Sequence, residues 1–310
     1  MTFRTRVLYL LSPLLIAPLT ISAQASRTQI VMLGTGTPIP NPDRSGPATA
    51  VIVDSVAYLF DAGAGVVRRA AAAGRAGITA FAGPAPGAQA NPRFDRVFLT
   101  HLHSDHTLGL ADVIFTPWIQ GRTTPLDVYG PPGTQRLVSG ILDGNAEDIA
   151  ERIASSGGPS TEGWKSNVHE IGEGVVFKDE RISVRAFAVP HSGWKFAFGY
   201  RIETPDRTIV ISGDERANPD LAAQCAGCDV LIHEVYSDAG FAAVPPLRQK
   251  YHAQAHTSAT QLGDMATQAK PKLLVLYHQM FFGSTEEKLV SEVQSRFAGR
   301  VISAHDLQVF

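Results

Sequence analysis

The chain has 310 residues, of which 44% are hydrophobic and 18% are charged, and its formal net charge is −2. A chain of this length can bury a substantial core, either as one large α/β domain or as two smaller domains. The slightly acidic balance excludes an overall basic footprint for a polyanion, so we expect no nucleic-acid partner.

The N-terminus has the pattern of an export signal. Two arginines give a positive start, residues 7–16 form an apolar stretch, and a small-x-small cleavage pattern ends at Ala25. The apolar stretch contains prolines and is shorter than the about 20 residues that a membrane helix needs. We predict a signal peptide over residues 1–25, a mature domain over residues 26–310, and a periplasmic or secreted location without membrane association. An uncleaved anchor is the alternative.

The first half of the chain alternates short apolar strands with turns rich in glycine and proline. Predicted loops cover residues 81–92 and 155–163. Predicted strands cover residues 29–33, 48–53, 57–60, 96–99 and 126–129, and predicted helices cover residues 66–73, 107–120 and 134–154.

The second half repeats this strand-rich pattern. Predicted strands cover residues 175–177, 182–189, 198–203, 208–211, 230–232 and 273–277, and predicted helices cover residues 219–224, 258–268 and 285–297. No clear linker separates two domains. Strands in series that are then mixed with helices, in both halves, predict an α/β fold of two packed sheets with helices outside.

One segment concentrates metal-binding side chains. His101, His103, Asp105 and His106 lie within six positions, directly after a predicted strand. Imidazole nitrogen and carboxylate oxygen together suit zinc or a similar first-row metal. The first two histidines can converge on one ion, and the last two residues can serve a second ion. Ordinary packing is the alternative reading of such a short motif.

Three further polar residues follow hydrophobic strands. His191, Asp214 and His278 each come just beyond a predicted strand, where loops on a rigid sheet carry chemistry. Any one of them alone could be an ordinary loop residue. Their repeated placement predicts that they complete the site.

The motif His-x-His-x-Asp-His with the downstream series His, Asp, His resembles the metallo-β-lactamase superfamily of hydrolases. The resemblance covers nearly all of the mature chain and implies an αββα sandwich of two mixed β-sheets flanked by helices, with the metals at one edge. Similarity to the ribonuclease Z-like and arylsulfatase-like branch lies in residues 33–38, 60–63, 198–202, 212–214 and 233–234.

The resemblance also implies a ligand set for two Zn²⁺ ions, or for other divalent first-row metals. Two zinc ions could lower the pKa of a shared water and supply hydroxide for attack. Asp214 would bridge the two ions. The first ion would be held by His101, His103 and His191, and the second by Asp105, His106 and His278.

Three residues are expected to act in catalysis by this resemblance. Asp105 acts as a ligand, His256 stands before a predicted helix as a proton donor, and Glu234 orients its ring. A helix-entry histidine bonded to backbone is the alternative for His256. Asp61 and Asp54 are weaker candidates for carboxylates that support histidine ligands.

We expect an exported dinuclear zinc hydrolase of small esters, with sulfate esters or phosphodiesters favoured. Ribonuclease Z enzymes usually carry an arm that grips transfer RNA, whereas only residues 204–207 join the corresponding segments here. A lactonase or β-lactamase is the alternative, although Asp214 opposes a typical exported β-lactamase. A non-catalytic metal-binding module is a third reading, and a homodimer is an open option.

Two smaller features complete the sequence. Cys225 and Cys228 have no neighbouring ligands for a zinc site, so they favour a local disulfide over a redox-active pair, with reduced thiols as the alternative. Several aromatic residues near the ligands could wall an apolar cleft or belong to the core. They are Trp118, Trp194, Phe196, Phe281 and Phe282.

Overall fold

The computed structural model describes residues 1–2, 26–85, 88–155 and 157–310. Residues 3–25, and with them nearly all of the predicted signal peptide, lie outside the described residues. Within the described ranges, none of the helices combines the length and the apolar character that crossing a bilayer requires.

The first half of the chain forms a six-stranded sheet whose strands stand in sequence order. The first three strands pair antiparallel and the last four pair parallel, so the sheet is mixed. The strands are β1 Thr28–Gly34, β2 Ala48–Val53, β3 Val56–Phe60, β4 Arg96–Phe98, β5 Leu126–Gly130 and β6 Ser166–Glu170.

The second half forms a seven-stranded mixed sheet in the order β13-β12-β11-β10-β9-β8-β7. Strands β7 to β10 pair antiparallel, and β10 to β13 pair parallel. The strands are β7 Gly174–Lys178, β8 Ser183–Ala188, β9 Phe198–Glu203, β10 Thr208–Ile211, β11 Val230–Tyr236, β12 Leu273–Met280 and β13 Val301–Ser303.

The helices lie outside the two sheets, and a short 3-10 helix covers Thr79–Phe81. They are α1 Val66–Arg75, α2 Ser104–Thr107, α3 Leu110–Ile119, α4 Thr134–Gly144, α5 Ala146–Ala154, α6 Leu221–Cys225, α7 Asp238–Phe241, α8 Pro246–Ala255, α9 Ala259–Ala269 and α10 Glu286–Gln294.

The alternation of side chains along the strands creates three apolar layers. On β1, Ile30 and Met32 pack between the two sheets, whereas Val31 and Leu33 pack on the outer side under α1 and α3. A third apolar layer lies between the second sheet and helices α6, α9 and α10. The predicted αββα sandwich is therefore confirmed.

The predicted helix over residues 107–120 is wrong in one respect, because the chain forms α2 and α3 with a break between them. The Gly109 N–H donates to Ala62 O at 2.8 Å, outside the helix. A Cβ at Gly109 would lie 2.3 Å from Gly63 O, so only glycine permits this approach. The break lets the histidine motif turn independently of the longer helix.

Five elements were not predicted, namely the 3-10 helix, β6, α7, α8 and β13. The predicted helix over residues 134–154 is divided at Asn145 into α4 and α5. Strand β6 has no buried residue, and α8 buries only His252 and Ala255, so neither carries a clear apolar repeat. The pair Cys225–Cys228 does form the expected local disulfide, with Cα atoms 4.9 Å apart.

Candidate metal centre

Most of the predicted ligands lie where strands of the two sheets end, whereas His278, which was predicted just beyond a strand, lies inside β12, because that strand extends to Met280. The segment with His101 to His106 follows β4 of the first sheet, and His103 is the N-cap residue directly before α2. His191 follows β8, and Asp214 follows β10 of the second sheet. The sandwich therefore brings together side chains that are widely separated in the sequence.

A β-bulge sets the direction of His278. On the paired strands β11 and β12, Glu234 faces Tyr277 and Val235 faces Gln279, so His278 is the extra residue. Its φ of 46° lies in the left-handed region. The bulge re-aims the imidazole toward the other ligands.

Gly213 allows Asp214 to leave β10 toward the site. Its φ is 64°, and a Cβ there would lie 2.7 Å from Phe198 O. Only glycine fits both conditions without strain. Asp214 itself is 2% exposed.

The first donor set comprises His101, His103, His191 and Asp214. His101 Nε2 lies 2.9 Å and His191 Nε2 lies 3.1 Å from His103 Nδ1. Burial lowers the pKa of His103 to about 4 and holds the pKa of His101 and His191 below the usual value. Neutral imidazoles present the lone pairs that bind a metal ion.

The second donor set comprises Asp105, His106 and His278, with Asp214 beside them. Asp105 Oδ2 lies 3.6 Å from His106 Nε2 and 3.2 Å from His278 Nε2. Asp214 Oδ1 lies 3.4 Å from His106 Nε2, and its Oδ2 lies 3.5 Å from His278 Nε2. Asp214 thus borders both donor sets.

The charges around the second donor set favour protonated histidines. Burial by itself would lower the pKa of His106 and His278, but nearby carboxylates outweigh it. Asp214 makes the largest contribution to raising the pKa of both histidines. Asp61 also raises the pKa of His106, and Asp105 also raises the pKa of His278. A metal ion would replace these protons as the positive charge.

Unpaired buried atoms show that the donor sets fit a cation. His106 Nε2 and Asp214 Oδ1 are buried and have no hydrogen-bond partner among the described residues. An unpaired buried polar atom costs about 1–3 kcal/mol. A cation between imidazole nitrogen and carboxylate oxygen would satisfy both atoms, and this donor type suits zinc. The buried clusters are consistent with a dinuclear metal site.

Asp61 supports the histidines from behind, and the weak prediction for Asp54 is wrong. Asp61 Oδ2 accepts a hydrogen bond from His106 Nδ1 at 2.8 Å. Thr100 Oγ1 donates to Asp61 and contacts His101 Nδ1 at 3.0 Å. Asp54 follows β2 in an exposed turn and forms an ion pair with Arg27 instead of supporting a histidine.

His191 and His233 have fixed surroundings. His191 Nδ1 donates to Ala255 O at 2.7 Å, which leaves Nε2 free for an ion. His233 Nδ1 donates to Glu234 O, and its Nε2 contacts Glu215 Oε1 at 3.0 Å. The sequence analysis missed Glu215, which follows Asp214 directly.

His256 and Glu234 form a buried pair beside the donor sets. His256 Nδ1 lies 3.5 Å from Glu234 Oε2 and 3.9 Å from Asp214 Oδ2. Glu234 Oε1 accepts from the Thr257 N–H at 2.9 Å, which fixes the carboxyl group. Burial lowers the pKa of His256 to about 4, while burial and the Asp214 charge raise the pKa of Glu234 well above its usual range.

Trp194 contacts the first donor set. Its Nε1 donates to His103 Nε2 at 2.7 Å. An ion on His103 Nδ1 would require the proton on Nε2, so two donors would then face each other. Trp194 is 36% exposed. Ion binding on Nδ1 would therefore break this contact.

A cleft of about 270 Å³ opens over the donor sets. Of the aromatic residues considered above, Phe282 lines this cleft and Trp194 lines a second cleft beside His103. Trp118 belongs to the core, because it is fully buried and its Nε1 donates to Ser160 O. The remaining cleft wall comes from residues 37–39, from Met280 and from helix α8, which the sequence did not predict.

Comparisons with known proteins identify the family. The family model described as "Beta-lactamase superfamily domain" matches residues 57–279. Ribonuclease Z from Mycobacterium bovis is 33% identical over 286 residues, which cover 90% of this chain and 96% of that protein. Ribonuclease Z from Mycobacterium marinum is 33% identical over 290 residues, with the same coverage of 90% and 96%.

Solved structures agree on the fold. Human tRNase Z, short form, matches with a TM-score of 0.64 and 22% identity, covering 91% of this chain and 98% of that chain. The metallo-β-lactamase fold protein YhfI from Bacillus subtilis also has a TM-score of 0.64, with 18% identity and coverage of 91% and 98%. The family model, the ribonuclease Z relatives and the buried donor sets lead to the same conclusion. The chain belongs to the metallo-β-lactamase superfamily, in its ribonuclease Z-like branch, and is a metal-dependent hydrolase.

Proposed function

We propose that this hydrolase cleaves phosphodiester bonds in small esters with the help of two zinc ions. The observation that carries the proposal is the pair of donor sets that share Asp214 at the floor of one cleft. The 33% identity to proteins named ribonuclease Z supports a phosphodiester, since RNA is a chain of such bonds.

The side chains divide the work of holding the ions. Two bound divalent cations lower the pKa of water and polarise the oxygen that gains negative charge. Asp214 Oδ2 lies 4.0 Å from His101 Nε2 of the first set and 3.5 Å from His278 Nε2 of the second, so this carboxylate would balance part of the charge of both ions. One ion would be held by His101, His103 and His191, and the other by Asp105, His106 and His278.

The pair of His256 and Glu234 supplies the proton for the leaving group. Burial and the charge of Asp214 raise the pKa of Glu234, and burial lowers the pKa of His256, so the carboxyl group holds a proton more readily than the ring. Nδ1 of His256 faces Glu234, so Nε2 is the nitrogen available to the cleft. His256 gives its Nε2 proton to the departing oxygen and takes the Glu234 proton on Nδ1. Such proton transfer contributes roughly 10²–10⁴-fold.

Other substrates stay as ranked alternatives. RNA is the second candidate, because the curated relatives at 33% identity are ribonucleases. Against it, a tight turn at residues 204–207 joins β9 to β10, and Arg248 is the one arginine or lysine among the described residues of the cleft wall. Sulfate esters, lactones and β-lactams follow.

The decisive experiment is a substrate panel on the zinc-loaded protein. The panel contains bis(4-nitrophenyl) phosphate, 4-nitrophenyl sulfate, a chromogenic lactone, a chromogenic cephalosporin and a transfer RNA with a 3′ extension. We expect the phosphodiester to give the highest kcat/KM. A higher kcat/KM for the sulfate, lactone, cephalosporin or RNA would replace the proposed substrate class.

Variants test the assigned roles. Asp214→Ala should remove both ions and activity, and His256→Ala should lower kcat by roughly 10²–10⁴-fold while zinc stays bound. His169→Ala is the matched control, since this partly exposed ring stacks on Tyr129 away from the cleft. A His256→Ala protein with full activity would remove the proton-donor role.

We also propose that the protein is exported. The N-terminal pattern that ends at Ala25 and the Cys225–Cys228 disulfide support this location, because disulfides persist in oxidising compartments. Cell fractionation and N-terminal sequencing of the native protein should give a periplasmic or secreted form that starts at Ser26. A cytoplasmic form with the uncleaved N-terminus would contradict the proposal.

A further inference from the structure

Helix α8 forms one wall of the cleft and presents three side chains of different chemistry. Arg248, Tyr251 and His252 stand at positions i, i+3 and i+4, which share one helix face. All three line the cleft together with His256 and Phe282. The mechanism proposed above uses none of the three α8 side chains.

His252 has an unused polar atom in this wall. The residue is 9% exposed, and its Nδ1 is buried without a hydrogen-bond partner among the described residues. Its ring lies edge-on to Phe282 at 4.8 Å and to Tyr251 at 5.3 Å. His252 therefore adds an unpaired polar atom and an aromatic ring to this wall, where buried polar groups are normally paired.

Arg248 and Tyr251 extend the wall toward solvent. Arg248 is exposed and forms no ion pair within the described residues, and Tyr251 is 44% exposed. A guanidinium binds carboxylate or phosphate groups through paired hydrogen bonds. The exposed phenol ring beside His252 offers a surface on which another ring can stack, and Phe282 lines the same cleft. The wall therefore combines an aromatic surface with one cation.

The position of His256 shows which part of the substrate meets this wall. His256 follows α8 directly, and its ring lies 5.6 Å from that of His252 and 6.3 Å from that of Tyr251. His256 is the proposed donor of the proton that the leaving oxygen receives. The group attached to that oxygen must then lie along α8.

We infer that α8 forms the leaving-group subsite and that the preferred leaving group is an aromatic ring with an anionic substituent. This inference rests on the proposed phosphodiesterase function. The ring would lie against Tyr251 and Phe282, its polar atoms would meet His252, and its anionic group would pair with Arg248.

The test uses two methyl aryl phosphodiesters that differ only in the leaving phenol. One releases 4-nitrophenol and the other releases 5-hydroxy-2-nitrobenzoate, which adds a carboxylate. Arg248→Ala should lower kcat/KM about tenfold for the carboxylated ester and less than about twofold for the neutral ester, as expected for one charge-assisted hydrogen bond. Arg248→Lys should retain most of the preference. Arg136→Ala, an exposed arginine on α4, should change neither value.

Calorimetric binding of the free phenols provides a readout that does not depend on turnover. The zinc-loaded protein should bind 5-hydroxy-2-nitrobenzoate more tightly than 4-nitrophenol, and Arg248→Ala should remove the difference. If the esters are hydrolysed but Arg248→Ala has the wild-type kcat/KM for both, the subsite is refuted and the phosphodiesterase function stands. If the wild type hydrolyses neither ester, the proposed function fails, and the binding difference alone then decides the subsite.

Discussion

Asp61 should control the affinity of the second donor set, although it touches no ion. Its carboxylate is 2% exposed, with Oδ1 accepting from the Thr100 N–H at 2.8 Å and Oδ2 accepting from His106 Nδ1 at 2.8 Å. Its φ of 59° lies in the left-handed region, which asparagine tolerates well. Asp61→Asn therefore changes the chemistry of the side chain with little strain in the backbone.

The substitution acts through the proton on His106. An amide oxygen can still accept from Thr100, but the amide NH₂ then faces Nδ1 of His106, and two donors meet. His106 relieves the conflict by moving its proton to Nε2, the nitrogen that faces Asp214 and Asp105. Loss of a carboxylate behind a histidine ligand typically costs about 10–100-fold in metal affinity, or roughly 1.4–2.8 kcal/mol.

A zinc titration against a chromophoric chelator measures this effect. We expect one of two sites to weaken by about 10–100-fold in Asp61→Asn, while the other stays within about threefold. Asp54→Asn is the matched control, because this carboxylate is exposed and distant from the donor sets. If Asp61→Asn binds both ions like the wild type, the reasoning about His106 is refuted.

Arg122 is 2% exposed and donates hydrogen bonds to the carbonyls of Phe94, Val113, Ile114 and Gly163. Arg122→Met should therefore lower the free energy of unfolding, measured in denaturant titrations, by roughly 3–5 kcal/mol. The control Arg68→Met, at an exposed arginine, should lower it by less than about 0.5 kcal/mol. Nearby carboxylates raise the pKa of His106 and His278, so zinc binding at pH 7 should release protons and should weaken as the pH falls. Calorimetry in buffers of different ionisation enthalpy counts the released protons. A release of zero protons would contradict the charge assignment. Zinc binding should also change the fluorescence of Trp194, because the indole loses its contact with His103. Trp194→Phe should remove this change, and an unchanged wild-type spectrum would contradict the prediction.

The sequence was enough to predict where the donor residues stand. Each of His101, His191, Asp214 and His278 follows or ends an apolar run, and such runs can be recognised as strands without a structure. Strand ends that meet at one edge of packed sheets then predict a shared site. The local pairing of Cys225 with Cys228 was equally accessible, because only three positions separate them.

Features that depend on distant contacts could not be predicted in the same way. The support from Asp61 to His106 spans 45 positions and depends on a left-handed backbone at Asp61. The bulge at His278 is visible only once β11 and β12 are paired. Helix α8 escaped prediction because its inward face is largely polar, and that face is where we place the leaving group.

The number and position of bound ions test the central claim most directly. Crystals of the zinc-loaded protein, measured at the zinc absorption edge, should show two anomalous peaks about 3.5–4 Å apart. One peak should lie about 2.0–2.2 Å from nitrogens of His101, His103 and His191, and the other at a similar distance from Asp105, His106 and His278. A single peak, or two peaks without contact to Asp214, would contradict the shared dinuclear site.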